Sequence, residues 1–167
     1  AGYEPVGFDH FALPGDDLAR AAREGRLHRN SQGFTDDAAS ALIGFGASAI
    51  SAFPDRFVQN MKSSGQYRSF AGAGHLPGAR GVIRTPEDRK SGRMIESILC
   101  HGHASVRPDE LPTEAVEMLD ALQTIGLIEW NGDRLSVCGE GRPYLRYISS
   151  LFDRHRQRSC GTFSPSV

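Results

Sequence analysis

Cysteine is scarce in this sequence, with three in 167 residues, at positions 100, 138 and 160. No two of them form a Cys-x-x-Cys pair, which speaks against a zinc ribbon and against a disulfide framework. A reducing, cytoplasmic setting is the simplest expectation. Long apolar runs are missing as well. The best stretch, 38–53, is interrupted by Ser40, Gly44, Gly46, Ser48 and Ser51, too short and too broken for a membrane span. The start, Ala1-Gly2-Tyr3-Glu4-Pro5, has no initiator Met, basic segment or apolar stretch of a signal peptide. It reads as a chain entered midway through a structural element. Net charge is nearly absent, at −1, so electrostatic capture of nucleic acid by the whole chain is not expected. No internal repeat or low-complexity tract is present.

What is there fits an ordinary globular composition, 39% hydrophobic and 23% charged. Tyr3 to Leu13 reads as one strand with apolar residues on both faces. Pro14-Gly15 ends it, and Asp16-Asp17 open a helix running to about Leu27. His28 to Asp37 is polar and turn-like. The small-residue segment 41–50 suits close backbone approach. A short helix is expected at 66–73 and a turn region at 74–81. A second unit begins near Val82. Thr85 caps a helix whose stripe is Met94, Ile95, Ile98 and Leu99. The next helix, Thr113 to Ile125, is expected to bury Ala115, Met118, Leu119 and Leu122, with Gly126 closing it. Asn131-Gly132 joins two strands in a tight hairpin. A last helix presents Tyr144, Leu145, Ile148, Leu151 and Phe152 on one face. The module is winged-helix-like.

Several motifs have both a chemical and a plain structural reading. Gly44-Phe45-Gly46 resembles the start of a dinucleotide fingerprint, but Ala49 stands where its third glycine belongs, so a tight turn is the better reading. Cys100-His101-Gly102-His103 offers metal-ligand side chains without an organised fourth partner and reads as a helix end. Asp9-His10 has the composition of an orienting acid with a base. Strand alternation, however, sends neighbouring side chains to opposite faces and makes them poorly placed to pair. Five arginines between Arg142 and Arg158 face the single acid Asp153 and suit an anion or a solvated face. The helix in the DNA-recognition position carries Glu114, Glu117 and Asp120 and no basic residue. It would repel a polyanion.

Residues 7–18 (Gly7-Phe8-Asp9-His10-Phe11-Ala12-Leu13-Pro14-Gly15-Asp16-Asp17-Leu18), 25–30 and 32–35, with Leu42 to Ile50 and Gln59-Asn60, resemble the oxygen-independent coproporphyrinogen III oxidase family. The likeness continues through Leu76-Pro77, Arg80-Gly81, Ile95-Glu96, Leu99-Cys100 and Gly141-Arg142 to Phe152-Asp153 and Phe163-Ser164. It implies the C-terminal part of a radical S-adenosylmethionine enzyme of haem biosynthesis. That enzyme converts two propionates of coproporphyrinogen III to vinyl groups, giving protoporphyrinogen IX. The implied fold is α/β plus α+β: the last βα segment of a partial radical-SAM TIM-like barrel in residues 1–81, then a mainly helical winged-helix-like cover domain in residues 82–167. The family's cofactors are S-adenosyl-L-methionine and an iron–sulfur cluster, and the cluster cysteines do not occur in this sequence.

Carried over position by position, Ile50 matches a family position that contacts the cluster-bound S-adenosylmethionine. Gln32 matches one near the second S-adenosylmethionine site. Ser31 stands where the family has Phe, and Phe34 where Tyr is usual. No catalytic residue and no metal ligand is assigned. Coproporphyrinogen III and an electron donor are the implied partners of the full-length enzyme, with no nucleic acid and no membrane, and a monomer is expected. The chain alone is expected to be inactive. Two other readings are a haem-chaperone relative and a winged-helix interaction module. Haem chaperones carry a tyrosine- and tryptophan-containing segment where this chain has His28 to Phe34.

Overall fold

Glycines and short polar caps cut this chain into brief elements. The computed structural model describes residues 1–156 and is a mixed α/β structure with four small sheets. Every strand pair among the described residues is antiparallel. Contacts divide the chain into two compact units, residues 1–37 with 90 onward, and residues 38–89. The division near Val82 read from the sequence does not coincide with them: residues 1–37 pack with the later half of the chain, and 38–89 pack with themselves.

In the first unit, the expected single strand is a hairpin of two strands, β1 (Glu4–Val6) and β2 (His10–Ala12), with Val6 opposite His10. Gly7, at φ 61°, takes the left-handed conformation that starts the reversal. Val6 and Ala12 are buried while Phe11 and Leu13 are exposed. Helix α1 spans Asp17–Arg23, and the Asp16 carboxylate accepts from the Leu18 N–H as its cap. It stops short of Leu27 because Gly25, at φ 67°, turns the chain. Leu27 then enters the core fully buried. The polar segment that follows is a second hairpin, β3 (His28–Arg29) with β4 (Phe34–Thr35).

The second unit begins loosely, through a single bridge between Leu42 and Ala52. It then builds a sheet from β5 (Ile50–Ala52), β6 (Arg56–Asn60) and β7 (Gly78–Ile83), with helix α2 (Ser64–Gly72) between β6 and β7. The expected turn region therefore holds a strand. Its glycines permit this: Gly78 lies against Val58 and Gly81 against the Phe57 carbonyl, where side chains would crowd the ladder. No apolar residue of this unit is buried; Ser51 and Asn60 are its buried residues.

Helix α3 (Pro86–His101) opens with a reciprocal capping box. Thr85 Oγ1 accepts from the Asp88 N–H at 3.1 Å, and Asp88 Oδ2 accepts from the Thr85 N–H at 2.9 Å. Its stripe, Met94, Ile98, Leu99 and Cys100, enters the core of the first unit. Strand β8 (His103–Ser105), helix α4 (Thr113–Thr124) and the hairpin of β9 (Ile128–Asn131) and β10 (Arg134–Val137) follow, and the sheet order is β8-β10-β9. Two local expectations shift. Met118 is 44% exposed, so α4 buries Ala115, Leu119 and Leu122 without it. Asn131 pairs with Arg134, so the two turn residues are Gly132 and Asp133, with Gly132 at φ 63°.

The closing helix α5 (Leu145–Ser150) is shorter than its apolar stripe, since a 3₁₀ turn, Gly139–Tyr144, precedes it. Leu145, Ile148 and Phe152 are buried and Tyr144 is exposed. The close of the arginine-rich segment, at Arg158, and the family-like pair Phe163-Ser164 lie outside the described residues, as does Cys160. No helix among the described residues is long and apolar enough to cross a membrane.

Candidate functional site

The family-like residues of the first unit gather where its two hairpins meet. Phe34 is buried, and its ring occupies the volume a side chain on Gly7 would need; an ideal Cβ there would stand 2.1 Å from Phe34 Cζ. Phe8 packs edge-on against Phe34, with ring centroids 5.7 Å apart. The Arg29 guanidinium lies 5.9 Å from the Phe8 centroid and 5.8 Å from that of Phe34. His10 adds a second edge-on contact to Phe34, at 5.2 Å.

Asp9 and His10 do pair, contrary to the strand-alternation argument. His10 Nδ1 is 2.7 Å from Asp9 Oδ1. The reason is that Asp9 belongs to the turn after Gly7 and not to a strand, so alternation does not apply to it. With the carboxylate as acceptor, Nδ1 carries the donating hydrogen and Nε2 is left for another partner.

The β3–β4 turn is built by Asn30. Its Oδ1 accepts from the backbone N–H of Gln32 at 2.8 Å and of Gly33 at 3.3 Å, an Asx turn. Gly33, at φ 150°, has a conformation only glycine adopts easily, and its Cα faces His10 Nε2, which an added Cβ would meet at 3.3 Å. Ser31 and Gln32 are exposed at the tip. Glu96 of α3 ties down the hairpin's base: its Oε1 accepts from the Arg29 N–H at 3.2 Å and lies 3.3 Å from His28 Nδ1. Arg142, from the arginine-rich segment, donates to the Gly7 carbonyl at 3.4 Å.

The Cys100-His101-Gly102-His103 segment is a helix end. Helix α3 stops at His101, Gly102 reverses the chain at φ 73°, and the two imidazoles stack with centroids 6.0 Å apart. Burial, aided by Glu96 and opposed by Arg29, pushes the Cys100 thiol up to about 12. Burial, then His103 and His28, holds His101 below the ordinary histidine range, with Glu96 opposing. Among the described residues no group of three or more His, Cys, Asp or Glu side chains is placed to hold a metal ion. Cys100 and Cys138 are the cysteines among the described residues and belong to no such group, so these residues do not offer the thiolate set an iron–sulfur cluster requires.

In the second unit, Ile50 is half-buried at the start of β5, opposite Gln59. The Gly44-Phe45-Gly46 segment that precedes it is held by side-chain hydrogen bonds from within the unit. Asn60 Nδ2 donates to the carbonyls of Gly44 and Gly46, each at 3.0 Å. Ser51 Oγ accepts from the Gly44 N–H and the Tyr67 hydroxyl from that of Gly46, again at 3.0 Å. An ideal Cβ on Gly44 would stand 2.9 Å from the Ile50 carbonyl. This close approach fixes the backbone at Ile50.

No family model matches the chain. The oxygen-independent coproporphyrinogen III oxidase of Cereibacter sphaeroides is 43% identical over 163 residues, 92% of this chain and 36% of that protein. The chain belongs with the C-terminal part of these oxidases. The Thermostichus vulcanus relative of the same name is 37% identical over 99% of the chain and 54% of its own length. A solved Escherichia coli coproporphyrinogen III oxidase, described as a radical SAM enzyme, matches with a TM-score of 0.84 at 34% identity. That match covers 92% of this chain and 38% of the other. The chain thus spans little more than a third of most of the oxidases it matches, 36% in the first case.

Glu96, Arg29 and the Phe8–Phe34 pair were not singled out from the sequence as a group. Nothing in the local pattern links positions so far apart; the one hint was a glycine at position 7 with no turn assigned to it.

Proposed function

We propose that this chain is the C-terminal part of an oxidoreductase of haem biosynthesis that oxidatively decarboxylates two propionates of coproporphyrinogen III to give protoporphyrinogen IX. The observation that carries the reading is the agreement of fold and sequence together, a TM-score of 0.84 at 34% identity over 92% of the chain. S-adenosylmethionine and an iron–sulfur cluster, when bound, supply hydrogen abstraction at an unactivated carbon. In this reading the cluster ligands belong to the part of the longer protein outside this chain.

The chain's own residues bind and position. Ile50 offers an apolar contact to S-adenosylmethionine, and the Gln32 amide a donor and an acceptor. Ser31 can hydrogen-bond but presents no flat surface of the kind an aromatic would give. Residues 1–81 close the catalytic barrel of the longer enzyme and residues 82–167 cover it, a division by role and not by packing within this segment. The order α3, β8, α4, β9, β10 supports a winged-helix-like description of the cover. The exposed Phe45, Leu76 and Ile83 of the 38–89 unit are covered, on this view, by the remainder of the enzyme. A monomer served by a separate electron donor, in the cytoplasm and without nucleic acid, completes the reading, and the acidic face of α4 is consistent with it.

The test is anaerobic turnover by the full-length protein supplied with S-adenosylmethionine, a reductant and coproporphyrinogen III. Protoporphyrinogen IX is the expected product, and the isolated 167-residue chain is expected to give none and to bind no S-adenosylmethionine in calorimetry. Full-length protein that carries its cluster, cleaves S-adenosylmethionine and leaves both propionates intact would overturn the reading.

A further inference from the structure

Helix α2 is inserted between β6 and β7, and each of its residues is exposed except Tyr67, which is half-buried. A surface helix ordinarily turns an apolar stripe inward. Here one tyrosine turns inward, and its hydroxyl accepts from the Gly46 N–H at 3.0 Å. Gly46 has a φ of 102° and open space where a side chain would point, so bonds and not packing hold it. The rest of the 44–46 segment is bonded in the same way. Asn60, which is buried, donates from Nδ2 to the Gly44 and Gly46 carbonyls, and the buried Ser51 accepts from the Gly44 N–H through Oγ.

These bonds converge on the residues either side of Ile50. Before it, Ala49 donates its N–H to the Gly46 carbonyl at 3.4 Å and accepts from the Asn60 N–H at 2.9 Å. After it comes Ser51, whose side chain holds Gly44. Gly44 lies against the Ile50 carbonyl, close enough that a Cβ there would stand 2.9 Å away. Isoleucine is stiff at χ1, so fixing its backbone largely fixes its apolar side chain. We infer that Tyr67, acting through Gly46, is a positioning residue for Ile50 in its contact with S-adenosylmethionine. This deepens the proposed function and rests on it: Ile50 meets the cofactor, and a hydroxyl from α2 sets where Ile50 stands.

The test uses the full-length enzyme carrying its cluster, with Tyr67→Phe, Ile50→Ala and the two combined, each checked by thermal melting. S-adenosylmethionine binding is followed by calorimetry and coproporphyrin III binding by fluorescence quenching. Y67F removes one oxygen and should weaken S-adenosylmethionine binding by roughly 3- to 10-fold while leaving coproporphyrin III binding unchanged. In the I50A background the same change should add nothing, because the side chain it positions is gone. Hydrogen exchange gives a readout on the chain itself: Y67F should speed exchange at residues 46–50, while amides of α4 keep their protection. Ser51→Ala removes the bond on the Gly44 side and repeats the test if Y67F does not fold. Wild-type S-adenosylmethionine affinity in Y67F, losses that multiply in the double variant, equal weakening of both ligands, or unchanged exchange overturns the inference. So does wild-type affinity in I50A, since Tyr67 then has no contact to position. In each of these cases the functional reading, tested by turnover, stands. Wild-type enzyme that binds neither ligand overturns both.

Discussion

Phe34 fills the space that any side chain on Gly7 would occupy, and Gly7 in turn has a backbone conformation, φ 61°, that favours glycine. The pair locks the first hairpin to the second and sets the position of His10 and Arg29. Gly7→Ala therefore carries two penalties, a steric one and a conformational one of about 1 kcal/mol. A total loss of about 2–4 kcal/mol is expected in denaturant melts. Gly7→Ala combined with Phe34→Leu should cost less than the sum of the single changes, because the smaller side chain relieves the clash. Strict additivity in that cycle would show that the contact is not the reason for the glycine.

The 38–89 unit is held by polar bonds where an apolar core would ordinarily stand. Asn60 is its central clamp, since one buried amide satisfies two carbonyls. Asn60→Ala leaves both without that donor and should cost about 2–3 kcal/mol. The effect should also be local. Hydrogen exchange should speed up at Gly44, Gly46 and the start of β5, while amides of α4 keep their protection.

Cys100 gives a pH signature. Burial disfavours its thiolate, so the folded protein holds this proton more tightly than the unfolded chain does. The stabilisation is fully present below the ordinary value of 9.0 and is lost as pH rises through the window from 9.0 to about 12. Cys100→Ala should flatten stability against pH over that window in comparison with wild type, whatever its cost at neutral pH. His101 has the opposite sign. Its folded value is lowered, so its contribution is present above the ordinary 6.5 and falls away as pH drops below it. A His101→Gln variant should lose less stability between pH 7 and pH 5 than wild type; parallel curves would contradict this.

Adjacent positions on α4 should respond very differently. Leu119 is fully buried and Met118 is 44% exposed. Leu119→Ala should cost about 2–5 kcal/mol through lost burial and a residual cavity. Met118→Lys should change stability by less than about 0.5 kcal/mol. Similar losses from both would mean that a different face of the helix is inside.

Much of this protein was legible in its residues because the signals were local. The caps at Asp16 and Thr85, the stripe of α3 and the hairpin near Gly132 each depend on side chains a few positions apart, where spacing and chemistry dictate the outcome. The family likeness likewise rests on residues in order along the chain. Tertiary structure decided what periodicity could not. Alternating apolar residues from Tyr3 to Leu13 fit one buried strand or two short paired ones, and Gly7 against Phe34 chose the pair. That choice took Asp9 out of the strand and let it reach His10. The glycine-rich stretch at 74–81 has little intrinsic preference, and close pairing with β6 made part of it a strand. The grouping of Arg29, His10 and the two phenylalanines joins residues from separate hairpins. No local pattern encodes such proximity; only the packing of one hairpin on the other creates it.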